Sequence, residues 1–224
     1  QGIGHIFMLT GGGAMHLDDS IGKQKRLQYV CNHHEQASAI AAEGYARVSG
    51  EMAAACVTSG PGGTNALTGV LGQWLDSIPV LDISGQVRYD TTVPSTGLPL
   101  RQLGVKEGDI IALAKPITKY AVMVTEAKTI RYHLERATYL AKSGRPGPVW
   151  LDIPLNIQAS LIDEHDLAPY DPSEDAISYD EQLIEDQIEE IIACIQRAER
   201  PVILGGAGIR VSLFIEADRR QLDA

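Results

Sequence analysis

The sequence predicts an α/β fold, a doubly wound and mostly parallel sheet with helices on both faces. Three observations predict it. The apolar runs are short and continuous rather than alternating, as strands covered on both faces require. They alternate with segments of helical periodicity. Two of them end in glycine clusters, at 11–13 and 60–63, where a parallel sheet turns into its next helix and where ligands approach such sheets.

The elements follow in order. Residues 6–9 form the first strand and run into Thr10-Gly11-Gly12-Gly13. Residues 27–30 form the second, followed by a helix over 35–48 rich in small residues: Ala37, Ala39, Ala41, Ala42, Gly44 and Ala46. Its small face suits close packing on another element or on another subunit. Residues 53–58 form the third strand, broken by Ser59-Gly60-Pro61-Gly62-Gly63. Leu67, Val70, Leu71 and Trp74 then give 64–75 a helical stripe. Residues 79–84, 121–124 and 149–153 complete six strands, and Ile130, Leu134, Ala137 and Leu140 mark a helix over 127–142. A second helix-and-strand unit begins with 179–199, where Leu183, Ile184, Ile188, Ile191, Ile192 and Ile195 share one side. A strand over 201–204 then enters Gly205-Gly206-Ala207-Gly208. The expected organisation is one domain over 1–157, an acidic linker over 158–180, and the start of a truncated central domain over 181–224.

Charge sharpens that division. The net charge of −10 over 224 residues is concentrated, because residues 163–192 hold 12 acidic and no basic side chains. The flanking stretches, 1–162 and 193–224, are each close to neutral. Such a connector is a solvated segment, and its acidity excludes a general nucleic-acid binder, which needs a basic face. No run approaches the roughly 18 apolar residues of a membrane helix, so no membrane partner is expected. Cys31, Cys56 and Cys194 make an odd set without a C-x-x-C, which fits free thiols in a reducing cytoplasm and no metal site. Cys56 lies inside an apolar run and reads as a buried structural thiol.

Common catalytic motifs are missing. There is no phosphate-binding G-x-x-x-x-G-K-[ST], His33-His34-Glu35 does not extend to a zinc helix because residue 38 is Ser, and Gly206-x-Gly208 lacks a third glycine at 211. Glu35 stands out because it follows a strand and opens a helix. Two roles fit it. A carboxylate in a first helical turn is favoured by the helix dipole, and a carboxylate at a strand's carboxyl end can face a cofactor. Periodicity does not choose between them.

His34-Glu35-Gln36, Ala42-Glu43-Gly44-Tyr45-Ala46-Arg47 and Thr58-Ser59-Gly60-Pro61-Gly62-Gly63-Thr64-Asn65 together resemble the thiamine-diphosphate enzymes of the acetolactate synthase type. Gly11-Gly12, Leu75-Asp76-Ser77-Ile78-Pro79-Val80, Gly85-Gln86-Val87, Ile117-Thr118-Lys119 and Ser143-Gly144-Arg145-Pro146-Gly147-Pro148-Val149 agree in order and spacing. The resemblance covers nearly all of residues 2–157 and points to the family's N-terminal, pyrimidine-binding domain and its thiamine-diphosphate-binding fold.

The resemblance implies thiamine diphosphate as cofactor, with Glu35 as the catalytic residue. Glu35 would hydrogen-bond a ring nitrogen of the aminopyrimidine and favour the imino tautomer that deprotonates the thiazolium carbon. Attack on a 2-oxo acid and loss of carbon dioxide follow, as decarboxylation or carboligation by a lyase or transferase. Gly11, Gly12, Thr58, Gly60, Pro61, Gly62 and Asn65 would line the cofactor. Gln86 and Lys106 fall on the substrate side, and turn chemistry is an equal alternative for Gln86 and Asn65. Lys106 stands in Val105-Lys106-Glu107, where acetolactate synthases usually have Phe-Gln-Glu. The family's Gly-Asp-Gly motif, which holds Mg2+ and the diphosphate, is absent, so the fragment is expected to be inactive alone. FAD is a further cofactor that the family's central domain can carry. Because the pyrimidine and diphosphate ends sit on different subunits in the family, a homodimer or homotetramer is expected. The alternatives are a non-catalytic dimerisation or regulatory domain that keeps the fold, and a nucleotide-binding domain using the glycines at 11–13 or 205–208.

Overall fold

The computed structural model describes residues 2–209, which divide into a unit over 2–171 and a second unit over 172–209. In the first unit six strands form one parallel sheet: β1 (His5–Met8), β2 (Gln28–Cys31), β3 (Ala53–Val57), β4 (Val80–Gln86), β5 (Tyr120–Met123) and β6 (Val149–Pro154), in the order β2-β1-β3-β4-β6-β5. All six lie within two residues of their expected ends. The helices of this unit are α1 (Met15–Lys23), α2 (Glu35–Ser49), α3 (Pro61–Leu75), α4 (Val93–Thr96), α5 (Ile110–Ala114), α6 (Ile130–Lys142) and α7 (Leu155–Gln158).

Helices cover both faces, as the continuous apolar strands require. On one face Ile21 of α1 and Ala137 and Ala141 of α6 pack against Ile6, Met8, Ala54, Cys56, Leu81, Val149 and Leu151. On the other, Ala39, Ala42 and Ala46 of α2, Ala66 and Val70 of α3 and Ile110 of α5 cover Ala53, Ala55, Val57, Val80 and Trp150. Alternate residues of β3 thus feed opposite cores, which is why its whole run is apolar. Part of the small face of α2 is used within the chain: a Cβ on Gly69 of α3 would lie 2.6 Å from that of Ala39. Cys56 is fully buried, and burial pushes its thiol up to about 12, which makes it inert. The three cysteines are free.

The amino-terminal edge of the sheet is closed by cations on helix ends. Arg145 Nε donates to Ser77 Oγ at 2.7 Å and its Nη2 donates to the Leu75 carbonyl at the end of α3. Lys119 donates to the Ser143 carbonyl just after α6. Arg47 of α2 bridges Glu43 on its own helix and Asp76 beyond α3. Free carbonyls at helix ends attract such groups.

Residues 163–171, expected in a linker, fold with the first unit. Tyr170 is buried beside Tyr132 and Tyr139, and its N–H donates to Glu135 Oε2 at 2.9 Å. In the second unit α8 (Glu181–Arg197) forms where its stripe predicts, with Asp180 accepting from the Leu183 N–H as its cap. Its apolar residues are exposed. The strand expected over 201–204 is not formed, because no strand in that unit is available among the described residues to pair with it. The remainder of that expectation, 210–224, lies outside the described residues. No helix among the described residues is long and apolar enough to cross a membrane.

One buried group sets a pH dependence. Asp82 is 1% exposed in the middle of β4, and burial pushes its carboxyl up to about 8, with the Gln73 side chain opposing the shift. Neither Asp82 oxygen has a hydrogen-bond partner within bonding distance, so no hydrogen bond offsets the cost of burying its charge and the neutral form is favoured. The folded chain therefore holds a proton there that the unfolded chain releases above its ordinary value near 3.8. Stability falls as pH rises from about 4 to about 8, by at most about 1.4 kcal/mol per pH unit for this group. We expect Asp82→Asn to raise the urea midpoint at pH 8 and to leave it nearly unchanged at pH 4; an equal effect at both would exclude Asp82 as the titrating group.

Candidate functional site

The carboxyl ends of β1, β3 and β4 and the amino ends of α2 and α3 meet at one edge of the sheet, and their backbones meet closely. An ideal Cβ on Gly11 would lie 2.5 Å from Thr58 Cβ, and one on Gly62 would lie 2.7 Å from Thr58 Cγ2. Thr58 therefore occupies the space that two absent side chains leave, and its Oγ1 accepts from the Gly13 N–H at 3.0 Å. Between Thr58 and α3, Gly60 turns the chain at φ 56°, ψ −116°, a conformation open to glycine alone. A Cβ there would also run into the Lys106 carbonyl. Pro61 opens α3 at its first position, where its missing N–H costs nothing.

Glu35 is the first residue of α2, half-buried beside this turn. The Gly62 Cβ position is 3.5 Å from Glu35 Oε1. Asn65, on the first turns of α3, donates its Nδ2 to Glu35 Oε2 at 2.6 Å, and its Oδ1 accepts from Gln36 Nε2 at 3.2 Å. The amide is thereby fixed, and so is one carboxylate oxygen. Glu35 Oε1 has no protein donor among the described residues. Gly11, Thr58, Gly62, Glu35 and Asn65 thus form one contiguous group, drawn from three separate stretches of sequence.

Beside it opens a cleft of about 620 Å³, lined by Gly12, Gly13, Ser59 and Gln86 from the sheet edge and by Leu103, Gly104 and Val105 opposite. Gly12 has open space where a side chain would be. Most of its lining surface is apolar; Ser59, Gln86 and Thr91 add polar groups, and Arg88 and Asp90 in the lining pair with each other. Glu35 and Asn65 do not line it. They stand on the other side of the Thr58–Gly62 turn.

Gln86 and Lys106 are placed differently from the rest. Gln86 is 1% exposed, and its Nε2 donates to the Gly108 carbonyl at 3.1 Å and to Asp152 Oδ2 at 3.0 Å. Its Oε1 accepts from the Val87 N–H. Lys106 is exposed, with its backbone against Gly60 and at φ 59°. Sequence reasoning missed Asp152, on which Gln86 rests. This carboxyl is fully buried, burial pushes it up to about 7, and the Ser84 hydroxyl donates to it at 2.6 Å. An acid inside the apolar run of β6 was its available signal. Glu107 closes the Val105-Lys106-Glu107 stretch, where the resemblance assigned a role only to Lys106. Among the described residues no three His, Cys, Asp or Glu side chains converge on a metal position.

The two glycines of this edge should respond differently to a side chain. Gly60→Ala is expected to lower stability by roughly 1–3 kcal/mol, whereas Gly12→Ala should change it by less than about 0.5 kcal/mol. Thermal unfolding checks both, and equal effects would contradict the turn described here.

The family described as thiamine pyrophosphate enzyme, N-terminal TPP binding domain, matches residues 1–109, which include Glu35 and the whole Thr58–Asn65 turn. The acetolactate synthase large subunit of Lactococcus lactis is 35% identical over 220 residues, 97% of this chain and 36% of its own length. That of Haemophilus influenzae is 32% identical over 93% of this chain and 35% of its own length. The chloroplastic acetolactate synthase of Arabidopsis thaliana is 35% identical over 93% of this chain and 30% of its own length. The chain thus spans about a third of the length of these relatives. Residues 1–109 thus match the N-terminal TPP-binding domain of the thiamine pyrophosphate enzymes, and nearly the whole chain is similar to about a third of the acetolactate synthase large subunit.

Proposed function

We propose that this domain forms the pyrimidine half of a thiamine-diphosphate site in an enzyme that decarboxylates a 2-oxo acid, joins it to an acceptor, or does both. The observation that carries the reading is the Glu35 carboxylate. One of its oxygens is fixed by Asn65 and the other is left without a protein donor, beside a turn stripped of side chains. Such a group suits a flat heterocycle with a ring nitrogen to protonate. Gly11, Gly12, Thr58, Gly60, Pro61 and Gly62 would receive the ring along their backbones.

When bound, thiamine diphosphate supplies the nucleophilic carbon and the electron sink that 2-oxo acid chemistry needs. Glu35 holds the proton shared with the pyrimidine, as general acid and base. Asn65 keeps the carboxylate turned toward that proton, and Gln36 keeps Asn65 from rotating. The glycine turn lets the backbone approach the ring. The cleft beside it, with its apolar wall, is where the 2-oxo acid would enter and where water would be excluded.

Mg2+ and the diphosphate would be held by chain outside the described residues, and FAD by a further domain. The outward faces of α2 and α3 carry exposed Ile40, Val48, Leu71 and Leu75, which supports a second copy of the chain as partner, in a dimer or tetramer. Free cysteines support a reducing compartment, and we place the protein in the cytoplasm.

Glu35→Gln in the full-length protein tests the reading. It keeps the shape of the side chain and removes its capacity to take a proton. Turnover of 2-oxo acids, followed as carbon dioxide release, is expected to fall by roughly two to four orders of magnitude. Near-normal turnover would remove Glu35 from the mechanism.

A further inference from the structure

Residues 103–109 form an irregular segment, of which Leu103, Gly104 and Val105 line the cleft. Lys106 in this segment is one of two non-glycine residues with positive φ among the described residues. A lysine gains nothing locally from that conformation, and such backbone persists only where its surroundings over-determine it. Three sets of contacts do so here.

The Glu107 carboxylate gathers backbone donors from both sides of the segment. Its Oε1 accepts from the Val93 N–H at the start of α4, and its Oε2 accepts from the N–H groups of Leu103 at 2.9 Å and Gly104 at 3.0 Å. Gln86 grips the same segment from beneath through the Gly108 carbonyl. Its grip is anchored in the sheet: Asp152 accepts from Gln86 and from Ser84, and Ser84 accepts from Trp150 Nε1 at 2.8 Å. All four of these side chains are at most 1% exposed. Finally the Lys106 carbonyl rests on Gly60, where a side chain could not fit. The restraints converge on one residue whose ammonium makes no ion pair among the described residues.

We propose that Glu107 and Gln86 are positioning residues that lock residues 103–109 against the Gly60 turn, with Lys106 held left-handed, so that this wall of the cleft is set before a ligand arrives. A connecting loop alone would place glycine at 106. The lock keeps a long cation there instead, at the junction of the cleft and the glycine turn. What the wall serves rests on the thiamine-diphosphate reading; that it is locked does not.

Three measurements on the full-length protein decide it. Glu107→Gln replaces one accepting oxygen by an amide that faces N–H groups, and trypsin cleavage after the exposed Lys106 should accelerate about tenfold or more. Should that variant fail to fold, Gln86→Met releases the same segment from beneath and should do likewise. Lys106→Gly removes the strain and should raise the melting temperature while lowering turnover. With pyruvate as probe, Glu107→Gln should raise KM at least fivefold and change kcat less than twofold, a split that general destabilisation does not produce. Unchanged cleavage, or a lower melting temperature for Lys106→Gly, overturns the lock. Accelerated cleavage with unchanged KM overturns its role in positioning. Absence of any 2-oxo acid turnover in the unaltered protein would instead overturn the thiamine-diphosphate reading, and cleavage and melting would still decide the lock.

Discussion

The close approach of three backbone segments around Thr58 is the constraint on which the candidate site depends. β1 and β3 are neighbours in the sheet, so Gly11 and Thr58 leave it side by side. α3 begins only a few residues later, which brings Gly62 onto the other flank of the same threonine. With no side chains at 11 and 62, the threonine fills the gap and its hydroxyl takes the Gly13 N–H. That packing puts the first turn of α3 against the first turn of α2. Asn65 and Glu35 meet at 2.6 Å as a consequence. A bulkier residue at either glycine would separate the helices and take the carboxylate out of reach, with no change in the sheet itself.

The two edges of the sheet use their recurring sequence patterns for opposite purposes. At the carboxyl edge, glycines remove side chains, leaving bare backbone beside one half-buried carboxylate. At the amino edge, the Leu75–Pro79 and Ser143–Val149 stretches lock together through Arg145, Ser77 and Lys119. Arg47 does the same between α2 and the end of α3. Motifs that look equally diagnostic in the sequence therefore divide into one set that serves the site and another that keeps α3 and α6 at fixed positions. Fixing α3 from its far end matters for the near end, because a helix of 15 residues is a rigid lever about 22 Å long.

What was legible in the sequence follows the same division. All six strands could be read as short apolar runs; β3 is buried on both faces and so continuously apolar, while the edge strand β2 is exposed along its length. Strand order could not, because pairing joins residues far apart: β4 sits beside β6 and leaves β5 at the edge. α1 escaped notice because only Leu17 and Ile21 carry its apolar stripe. Of the candidate site, Glu35, Asn65 and the glycines were legible as a resemblance, and their convergence was a property of the fold. Gln86 illustrates what remained hidden. The resemblance set it on the substrate side, with turn chemistry as the alternative, and both sides of its amide are engaged by protein. Hydrogen-bond saturation of that kind depends on Asp152, Gly108 and Val87 arriving together, and no local pattern encodes it.

β4 concentrates the cost of this arrangement. Asp82, Ser84 and Gln86 point to one face at alternate positions, beside Trp150 and Asp152 of β6, so a polar column runs through what is otherwise core. A strand selected for stability alone would carry valine or isoleucine there, since buried carboxyls are expensive unless fully satisfied. The lower end of the column is poorly satisfied: Asp82 oxygens lack donors altogether. The upper end is well satisfied and terminates on the segment that holds Lys106 in its left-handed conformation. Toward the carboxyl edge, then, the column's hydrogen bonds are used to hold backbone geometry in place rather than to gain stability. That is what a preformed binding wall requires, because a loop left free to relax would surrender part of its ligand's binding energy to ordering.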